Sequence, residues 1–460
     1  MRCAISLFAV PLAVVAYWSS SAFAGQEEEP LRLLFWDAND VADTFGRIVF
    51  RAEALQNEGR ATGYPEMQYG CEVPRGDGTS WIYGWRVTSW EDAQHRVLHV
   101  MRCVTTDGRT FSGTETVFSV GDKNWQGFAN MVHRPTDGAL FLFAWAQYPG
   151  KLHVYRSDDG ERWETLTEEA YVGHDAMCVT WHAPSGRFIN YQTVTQPYPK
   201  RYPDNIGELR RVLSFMRSTD GVTWERFSPP FLNGVELWEP GVDDPEDLEF
   251  YRSVVFPHLG RYAMLLADYV PPPSEANSRR AITKHGPSYM AEWAISRDGL
   301  DWQRPFRDTN AYEEQFWLAL QGPLVREGRL RFYHPDGRIA SLPEDRIFYV
   351  TCRANGEFST QPFTMPAGGL ALNACARYRE AERSHGQAYI MAELLNADGT
   401  VRPGYERTRC LFENVDGRRL PLLWKGDGDA EVRDGTEFAG QPCQLRFFLR
   451  DAKIYGVCGG

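Results

Sequence analysis

The chain has 460 residues, a formal net charge of −12, 43% hydrophobic residues and 24% charged residues. Its length allows two or three domains, and its composition is that of an ordinary globular protein. The acidic balance makes nucleic acid and anionic membrane surfaces poor candidates as partners. Aromatic residues reach 13%, with 15 Trp, a content that suits sheet proteins and carbohydrate-binding clefts.

The first 24 residues have the pattern of a secretory signal. Arg2 is followed by an apolar run from Ile5 to Tyr17, and Ala22-Phe23-Ala24 fits the small-x-small rule for cleavage. The pattern predicts a mature chain that begins near Gly25, is secreted or periplasmic and has no membrane attachment. An uncleaved anchor is the alternative, although the apolar run is short for a membrane span.

A short motif, Asp-Gly-x-x-aromatic, recurs along the chain. It begins at Asp107, Asp159, Asp220 and Asp298, and a weaker copy begins at Asn355. Asp followed by Gly favours a tight turn, because Gly tolerates positive φ and the Asp side chain accepts hydrogen bonds from nearby backbone amides. The motif resembles the Asp box of sialidase-type propellers, which implies a structural role at the outer rim rather than a catalytic one.

Five predicted hairpins alternate with these motifs. Each has an apolar strand, a turn rich in Gly, Pro or Asp, and a second strand rich in aromatic residues. They span residues 67–85, 128–145, 176–191, 250–266 and 316–333. Two repeats that interleave five times predict five blades of a β-propeller.

The pattern changes after Pro362. Strand-like segments such as 387–394 and 444–449 are separated by turns at 396–399, 416–417 and 426–428. About 90 residues of short strands are typical of a β-sandwich. The sequence therefore predicts an all-β protein, with a five-bladed propeller over residues 25–362, following the signal at 1–24, and a C-terminal sandwich over residues 363–460.

Polar residues stand where each predicted inner strand begins. In a propeller these positions line the mouth of the central channel, and converging carboxyl groups there suit glycoside hydrolysis. We take three acids as catalytic candidates, Asp175 to stabilise the sugar and the other two as acid and base or nucleophile in unassigned order: Glu66, Asp175 and Glu249. The substrate-binding candidates are Gln68, Asn130, His174, Tyr251, Arg252, Glu314 and Gln315. A strand cap or an ion pair, for example with Arg252, is the alternative role for any single acid.

Other chemistries lack their motifs. The sequence has no His-Glu-x-x-His, phosphate loop, dinucleotide fingerprint or Gly-x-Ser-x-Gly, so we expect no metal and no cofactor. The acidic run from Asp243 to Asp247 does not have the spacing of a calcium loop and favours a solvated loop. Eight cysteines remain after cleavage, and Cys410 with Cys443 or Cys458 is a candidate disulfide, although spacing leaves the connectivity open.

Three stretches carry a resemblance to a known family. They are 173–188, 249–257 and the tail, which includes Leu423-Trp424-Lys425-Gly426 and residues 445–455. Together they resemble secreted bacterial proteins of the glycosyl hydrolase family 32-like group, which implies a five-bladed propeller joined to a sandwich. The Trp-Met-Asn-Asp-Pro-Asn motif of that group is replaced here by Tyr64-Pro65-Glu66-Met67-Gln68, and 35–40 only echoes it. Its Arg-Asp-Pro motif becomes Gly173-His174-Asp175-Ala176, and its Glu-Cys motif is missing.

Two functions remain open. The first is an exported glycoside hydrolase that binds carbohydrate as a monomer. Because the family motifs are missing, the expectation of fructan hydrolysis does not carry over to it. Trp85, Trp125, Trp145 and Trp317 are its candidates for sugar stacking, with core packing as the alternative. The second is a catalytically silent propeller that binds glycans or a partner protein.

Overall fold

The computed structural model describes residues 31–88, 96–123, 125–146, 150–171, 176–200, 206–270, 288–307, 311, 321–377, 388–426 and 431–459. The predicted signal lies outside them. The described secondary structure is β-strand apart from single 3-10 turns at Ala38–Asp40, Ala183–Ser185, Pro230–Leu232, Arg407–Arg409 and Thr436–Phe438, which confirms the all-β class. The first strands are β1 (Arg32–Leu34), β2 (Val41–Gly46), β3 (Val49–Ala52) and β4 (Gln56–Arg60).

The middle of the chain forms five antiparallel sheets, here called sheets 1 to 5. Sheet 1 contains β5 (Gln68–Pro74), β6 (Ser80–Thr88), β7 (Arg96–Thr105) and β8 (Ser112–Lys123). Sheet 2 contains β9 (Trp125–His133), β10 (Leu140–Ala146), β11 (Lys151–Ser157) and β12 (Glu164–Thr167). Sheet 3 contains β13 (Val179–His182), β14 (Arg187–Pro197), β15 (Leu209–Ser218) and β16 (Glu225–Arg226), with β17 (Leu237–Trp238) also paired to β15.

Sheets 4 and 5 follow the same plan, with one difference. Sheet 4 contains β18 (Glu249–His258), β19 (Arg261–Val270), β20 (Ser288–Ser296) and β21 (Trp302–Gln303). Sheet 5 contains β22 (Leu324–Arg326), β23 (Arg329–Tyr333) and β24 (Arg338–Pro343), and its fourth strand is β4 from near the start of the described chain. The N-terminal part of the chain therefore completes the last of the five sheets.

Aromatic contacts join each sheet to the next, and sheet 5 to sheet 1. The contacts, in order around the sheets, are Phe118–Tyr155 at 5.4 Å, Phe143–Phe188 at 5.4 Å, Tyr191–Trp302 at 5.9 Å, Phe256–Phe332 at 5.7 Å and Tyr69–Tyr333 at 5.5 Å between ring centroids. Burying such large side chains between sheets is the main favourable contribution to their association.

The first strands of neighbouring sheets are also linked directly. The backbone N–H of Val179 donates to Asn130 Oδ1 over 3.0 Å, and that of Val255 donates to Cys178 Sγ over 3.2 Å. Gly70 is required where β5 approaches β9, because a Cβ there would lie 2.8 Å from the Cβ of Met131. These contacts hold the first strands of sheets 1 to 4 close together.

The four full Asp-Gly motifs form turns with one hydrogen-bond pattern. In each turn the Asp Oδ1 accepts from the backbone N–H groups two and three residues later, as Asp159 does from Glu161 and Arg162 over 2.9 and 2.8 Å. A Ser or Thr hydroxyl two residues before the Asp accepts from the Gly N–H, as Ser157 does from Gly160 over 2.8 Å. Gly160 has φ 77°, a conformation that favours glycine.

The weaker fifth copy is not such a turn. Gly356 begins strand β26 (Gly356–Thr360), which pairs with β2 and with a C-terminal strand. The reason lies in the topology: the motif connects the third and fourth strands of sheets 1 to 4. In sheet 5 the fourth strand, β4, comes from elsewhere in the chain, so no such connection exists.

The C-terminal strands form two larger sheets together with N-terminal ones. They are β25 (Phe348–Thr351), β26, β27 (Phe363–Thr364), β28 (Leu370–Cys375), β29 (Tyr389–Asn396), β30 (Leu411–Glu413), β31 (Asp416–Pro421), β32 (Trp424–Lys425), β33 (Val432–Arg433), β34 (Pro442–Arg450) and β35 (Lys453–Gly459). One sheet has the order β3-β25-β35-β28-β31, with β1 on β35; the other has the order β2-β26-β34-β29-β30, with β27 on β34. The remaining two, β32 and β33, pair with each other.

A single core joins these two larger sheets. On β34, Leu445, Phe447 and Leu449 are buried and alternate with half-buried residues, as expected for a strand with one face toward the core. The pairing differs from the predicted division at residue 362, because β1 to β3, β25 and β26 precede that residue and pair within these sheets.

The candidate disulfide is absent. Cys410 and Cys443 both lie in the core between the larger sheets, and each of the eight described cysteines is a free thiol. Burial raises the pKa of Cys410 to about 12, so this thiol is protonated and unreactive at neutral pH.

Candidate functional site

The polar residues that concern function lie at one end of the sheets, here called the mouth end. It comprises the beginnings of the first strands, the ends of the second strands and the beginnings of the third, which coincide because neighbouring strands are antiparallel. The Asp-Gly turns follow the third strands and therefore lie at the opposite end. This separation agrees with a structural role for the turns.

A cavity of about 490 Å³ opens at the mouth end between sheets 1 and 5. One wall is formed by Glu66 and Gln68 where β5 begins and by Trp85 and Arg86 near the end of β6; the other is the turn between β23 and β24, with His334 and Asp336. Its volume lies within the range of small-molecule sites. The cavity thus places two carboxyl groups, an imidazole and an amide around one open space.

The side chains of this cavity differ in how many hydrogen-bond and ion-pair partners the protein already gives them. Asp336 lies 2.8 Å from His334 Nδ1 and 3.0 Å from Arg338 Nε. Burial opposes ionisation of Asp336, but hydrogen bonds from the Arg338 backbone and from His334 prevail and lower its pKa. Glu66 is exposed and makes no ion pair with the described residues. Gln68 Oε1 is buried and has no hydrogen-bond donor among the described residues.

Burial also governs the imidazole of the cavity. It lowers the pKa of His334, while the nearby Asp336 carboxylate opposes the shift. His334 is therefore neutral at neutral pH, and the carboxylate beside it is ionised. Both ring nitrogens already have protein partners, because Nδ1 lies 2.8 Å from Asp336 Oδ1 and Nε2 lies 3.2 Å from Arg338 Nη2. His334 therefore orients the Asp336 carboxylate.

Glu249 does not lie in this cavity. It is fully buried where β18 begins, and it forms ion pairs with Lys200 and with Arg211, whose Nη1 is 2.6 Å from Glu249 Oε2. The Arg211 guanidinium lies over the rings of Tyr251 and Tyr269, at 4.8 and 5.2 Å from their centroids. Both carboxyl oxygens of Glu249 thus face cationic side chains, and their clear effect is to position Arg211.

Sequence reasoning missed a second group of acids in sheet 4. Arg304 Nη1 lies 2.8 Å from Asp244 Oδ2, and its Nη2 lies 2.5 Å from Glu292 Oε2 and 3.9 Å from Asp268 Oδ2. Burial and the negative charge of Glu292 raise the pKa of Asp268 to about 8, against the attraction of Arg304. The signal was present, since Asp268 follows the apolar run 263–267 and Glu292 interrupts an apolar strand.

The other predicted residues divide into three groups. His174, Asp175, Glu314, Gln315 and Trp317 lie outside the described residues. Asn130 and Arg252 are buried, and the Asn130 amide links β9 to β13, so neither offers an open surface. Tyr251 is half-buried against Arg211.

Three of the four tryptophans named as stacking candidates are core residues. Trp85 and Trp125 belong to the core between sheets 1 and 2, where they are 0% and 1% exposed, and Trp145 belongs to the core between sheets 2 and 3. Trp85 reaches the wall of the cavity from that core. Core packing, the alternative role, is therefore the one seen for Trp85, Trp125 and Trp145.

Three further observations bear on ligands and location. The described residues contain no cluster of three or more His, Cys, Asp and Glu side chains that could hold a metal ion. Among the same residues, the structure has no helix with the length and apolar character to cross a bilayer. The acidic run at 243–247 contributes an ion pair from Asp244 to Arg304 rather than a free loop charge.

Comparison with known proteins gives structural neighbours only. No family model matches the chain, and no curated protein matches its sequence. Similar solved structures include a glycoside hydrolase with a TM-score of 0.41 and 10% identity, covering 65% of this chain and 92% of that one. A family 117 glycoside hydrolase from Zobellia galactanivorans has a TM-score of 0.37 and 13% identity, covering 66% and 90%.

A third neighbour covers more of this chain. It is a fructofuranosidase from Schwanniomyces occidentalis, solved with fructose, with a TM-score of 0.37 and 10% identity over 87% of this chain and 97% of that one. Scores at this level assign neither a family nor an activity to the chain. The geometry of the mouth end is what bears on function.

Proposed function

We propose that this protein is an exported glycoside hydrolase acting on an oligo- or polysaccharide, with its site at the mouth end of a five-bladed β-propeller. Three features support the propeller: sheets 1 to 5 have one strand plan, each packs on the next, and sheet 5 packs on sheet 1. Pairing of β4 with β24 closes the ring in this proposal. The larger sheets would form the accompanying sandwich.

One observation carries the enzymatic part of the proposal: the cavity holds two carboxyl groups on facing walls, one held by hydrogen bonds and one without an ion pair among the described residues. Asp336 is held ionised by its hydrogen bonds, as a nucleophile or general base must be, whereas Glu66 on the facing wall is exposed and without an ion pair among the described residues. Glycoside hydrolysis needs one carboxyl to protonate the leaving oxygen and another to attack or to activate water. We assign proton donation to Glu66 and the second role to Asp336.

Two further residues of the cavity support these roles. Gln68, whose Oε1 lacks a donor among the described residues, suits a sugar hydroxyl, and His334 holds Asp336 in place. Glu249 receives a positioning role through Arg211, which replaces the acid, base or nucleophile role expected from the sequence. The role expected of Asp175 stays a prediction.

The test is the release of reducing sugar from a panel of neutral and acidic oligosaccharides. Glu66→Gln and Asp336→Asn should each lower kcat by at least about 100-fold, since general acid–base catalysis contributes 10²–10⁴-fold. Glu164→Gln, an exposed acid on β12, is the matched control and should retain full activity. Turnover unchanged in both cavity variants would refute the assignment.

A silent glycan-binding propeller remains the second candidate, and one observation favours it. Glu249, Glu292 and Asp244 are all engaged by Lys or Arg, so most of the buried acids at the mouth end already have structural partners. Saturable glycan binding by the wild type, lost in Gln68→Ala and without any turnover, would establish this alternative. Binding with turnover would establish the enzyme.

Export is part of the proposal and has its own measurement. The mature N-terminus should be Gly25 or a neighbouring residue, determined by N-terminal sequencing of protein recovered from outside the cytoplasm. A protein retained in the cytoplasm with residues 1–24 intact would contradict it. We further propose that the mature protein is a monomer that takes carbohydrate and no nucleic acid as its partner.

A further inference from the structure

A second cavity, of about 300 Å³, lies beside one of the larger sheets. It is bounded by β1, the turn between β18 and β19, the segment after β24, and strands β28, β31 and β35. It therefore opens where one of the larger sheets meets sheets 4 and 5. None of the residues assigned to the mouth site lines it.

The rim of this cavity carries an excess of positive charge. Three guanidinium groups, those of Arg32, Arg418 and Arg419, face two carboxylates, those of Glu344 and Asp345. The only ion pair that the structure gives among these five side chains is between Arg418 Nε and Asp345 Oδ1, at 3.5 Å.

The three arginines are only weakly engaged by the protein. Arg418 Nη2 donates to Gly328 O over 3.4 Å, and Arg419 Nη2 donates to Gly459 O over 3.5 Å, both near the limit for a hydrogen bond. Arg32 is exposed and forms no ion pair with a described residue. Guanidinium groups with free donors are suited to carboxylates and sulfates, which they bind with two parallel hydrogen bonds.

The floor of the cavity is apolar and suits the face of a sugar ring. Leu33, Leu34, Leu259 and Val457 line it, and Tyr455 adds an aromatic ring. The volume is at the lower end for small-molecule sites, which corresponds to one sugar residue with its substituent. Glu344 and Asp345 at the rim can accept hydrogen bonds from sugar hydroxyls, as the carboxylates of carbohydrate sites do.

We propose that this cavity is an accessory binding site for an acidic glycan, whose carboxylate or sulfate group is held by Arg32, Arg418 and Arg419. The site keeps a polyanionic chain on a protein that repels it elsewhere through its net negative charge. The inference goes beyond the proposed hydrolase site and does not depend on catalysis there.

Calorimetric titration with three polymers tests the proposal: polygalacturonate, a sulfated galactan and neutral dextran. The wild type should bind one of the two polyanions, which identifies carboxylate or sulfate as the ligand group, and should not bind dextran. Arg418→Gln combined with Arg419→Gln should weaken that binding at least about tenfold, the effect of about one lost charge-assisted contact. Binding should also weaken as salt concentration rises.

Arg407→Gln is the matched control, because Arg407 is an exposed arginine of the 3-10 turn Arg407–Arg409 whose guanidinium lies 4.4 Å from the Phe448 ring centroid. It should bind the polyanion as the wild type does. No binding of either polyanion, equal binding of dextran, or affinity unchanged in the double variant would each overturn the proposal. Glu66→Gln should leave polyanion binding intact, so failure of this site and failure of the mouth site are separate results.

Discussion

Asp268 and Glu292 lie side by side in sheet 4, and Arg304 lies between them and Asp244, which also faces Arg307 at 3.5 Å. Among the described residues Arg304 is therefore the one guanidinium that pairs with Asp268 and Glu292, so the least costly arrangement keeps one of these two carboxyls protonated. Burial and the charge of Glu292 select Asp268 for this, with a pKa of about 8. The Asp268 carboxyl therefore holds a proton at neutral pH in the folded protein.

This proton predicts a dependence of stability on pH. Because the pKa of Asp268 is raised in the folded state, its contribution is fully present below the usual Asp pKa near 4, falls as pH rises, and is lost above about pH 8. Asp268→Asn should flatten the decline in unfolding free energy between pH 4 and pH 8, measured by urea titration. Glu164→Gln, an exposed acid, should keep the wild-type slope. The same slope in Asp268→Asn would contradict the assignment.

The sequence predicts the environment of some residues better than that of others. The difference is how far along the chain the contacting residues lie. The turn at Asp159 depends on Ser157, Gly160 and the next two amides, all within six positions. The environment of Glu249 depends on Lys200 and Arg211, tens of residues away, so only the structure shows that this acid is paired rather than open. Local chemistry was therefore predictable, and the partners of each acid were not.

At the scale of elements, the aromatic residue of each Asp-Gly turn is predicted to stabilise its sheet by packing against it. In the structure these aromatic residues differ in how deeply they are buried. Trp302 is 3% exposed and donates from Nε1 to Gly299 O over 3.0 Å. Trp163 is only half-buried, stacks on Phe118 at 5.6 Å, and its Nε1 has no acceptor among the described residues. The two turns thus offer the same motif with different burial.

Trp302→Ala should lower the unfolding free energy by about 3–5 kcal/mol, the cost of removing a buried aromatic side chain. Trp163→Ala should cost clearly less, about 1–3 kcal/mol, because less area is lost from its core. Equilibrium urea unfolding of both variants measures the difference. Equal costs would mean that burial of the aromatic does not determine the strength of the turn. A loss of glycan binding at an unchanged Tm would show that these turns belong to the site.

The connections between elements show where sequence reasoning stops. Each of the five predicted hairpins joins strands that are close in sequence, and the structure pairs β5 with β6, β9 with β10, β13 with β14 and β18 with β19. The pairing of β4 with β24 joins residues such as Asn57 and Ala340, which lie too far apart in sequence for a turn signal to mark them. A long-range pair is stabilised by the whole assembly, so no local pattern announces it.

At the scale of the whole molecule, the two ends of the chain hold the larger sheets together. β1 pairs with β35, β2 with β26, and β3 with β25, so strands from 32–52 lie in the same sheets as strands from 348–459. The sequence pattern changes after Pro362. The two larger sheets nevertheless contain strands from both sides of that residue. The chain thus leaves these sheets, forms sheets 1 to 5, and returns.

This topology predicts the outcome of two truncations. A protein of residues 25–363 keeps β2, β3, β25 and β26 but loses β34 and β35, which supply their partners and half of their core. Unpaired strand edges and exposed apolar residues such as Phe358 should make it aggregate. A protein of residues 53–347 omits all those strands and retains β4 to β24, so sheets 1 to 5 keep every strand. It loses Trp36 and Phe348 from the core against sheets 4 and 5, but no strand in it has lost a partner, so it should be the more soluble of the two. Size-exclusion chromatography of both, at matched concentration, decides the matter. If residues 25–363 gave a monodisperse, folded monomer and residues 53–347 did not, the five sheets would depend on the N-terminal strands rather than on their own closure.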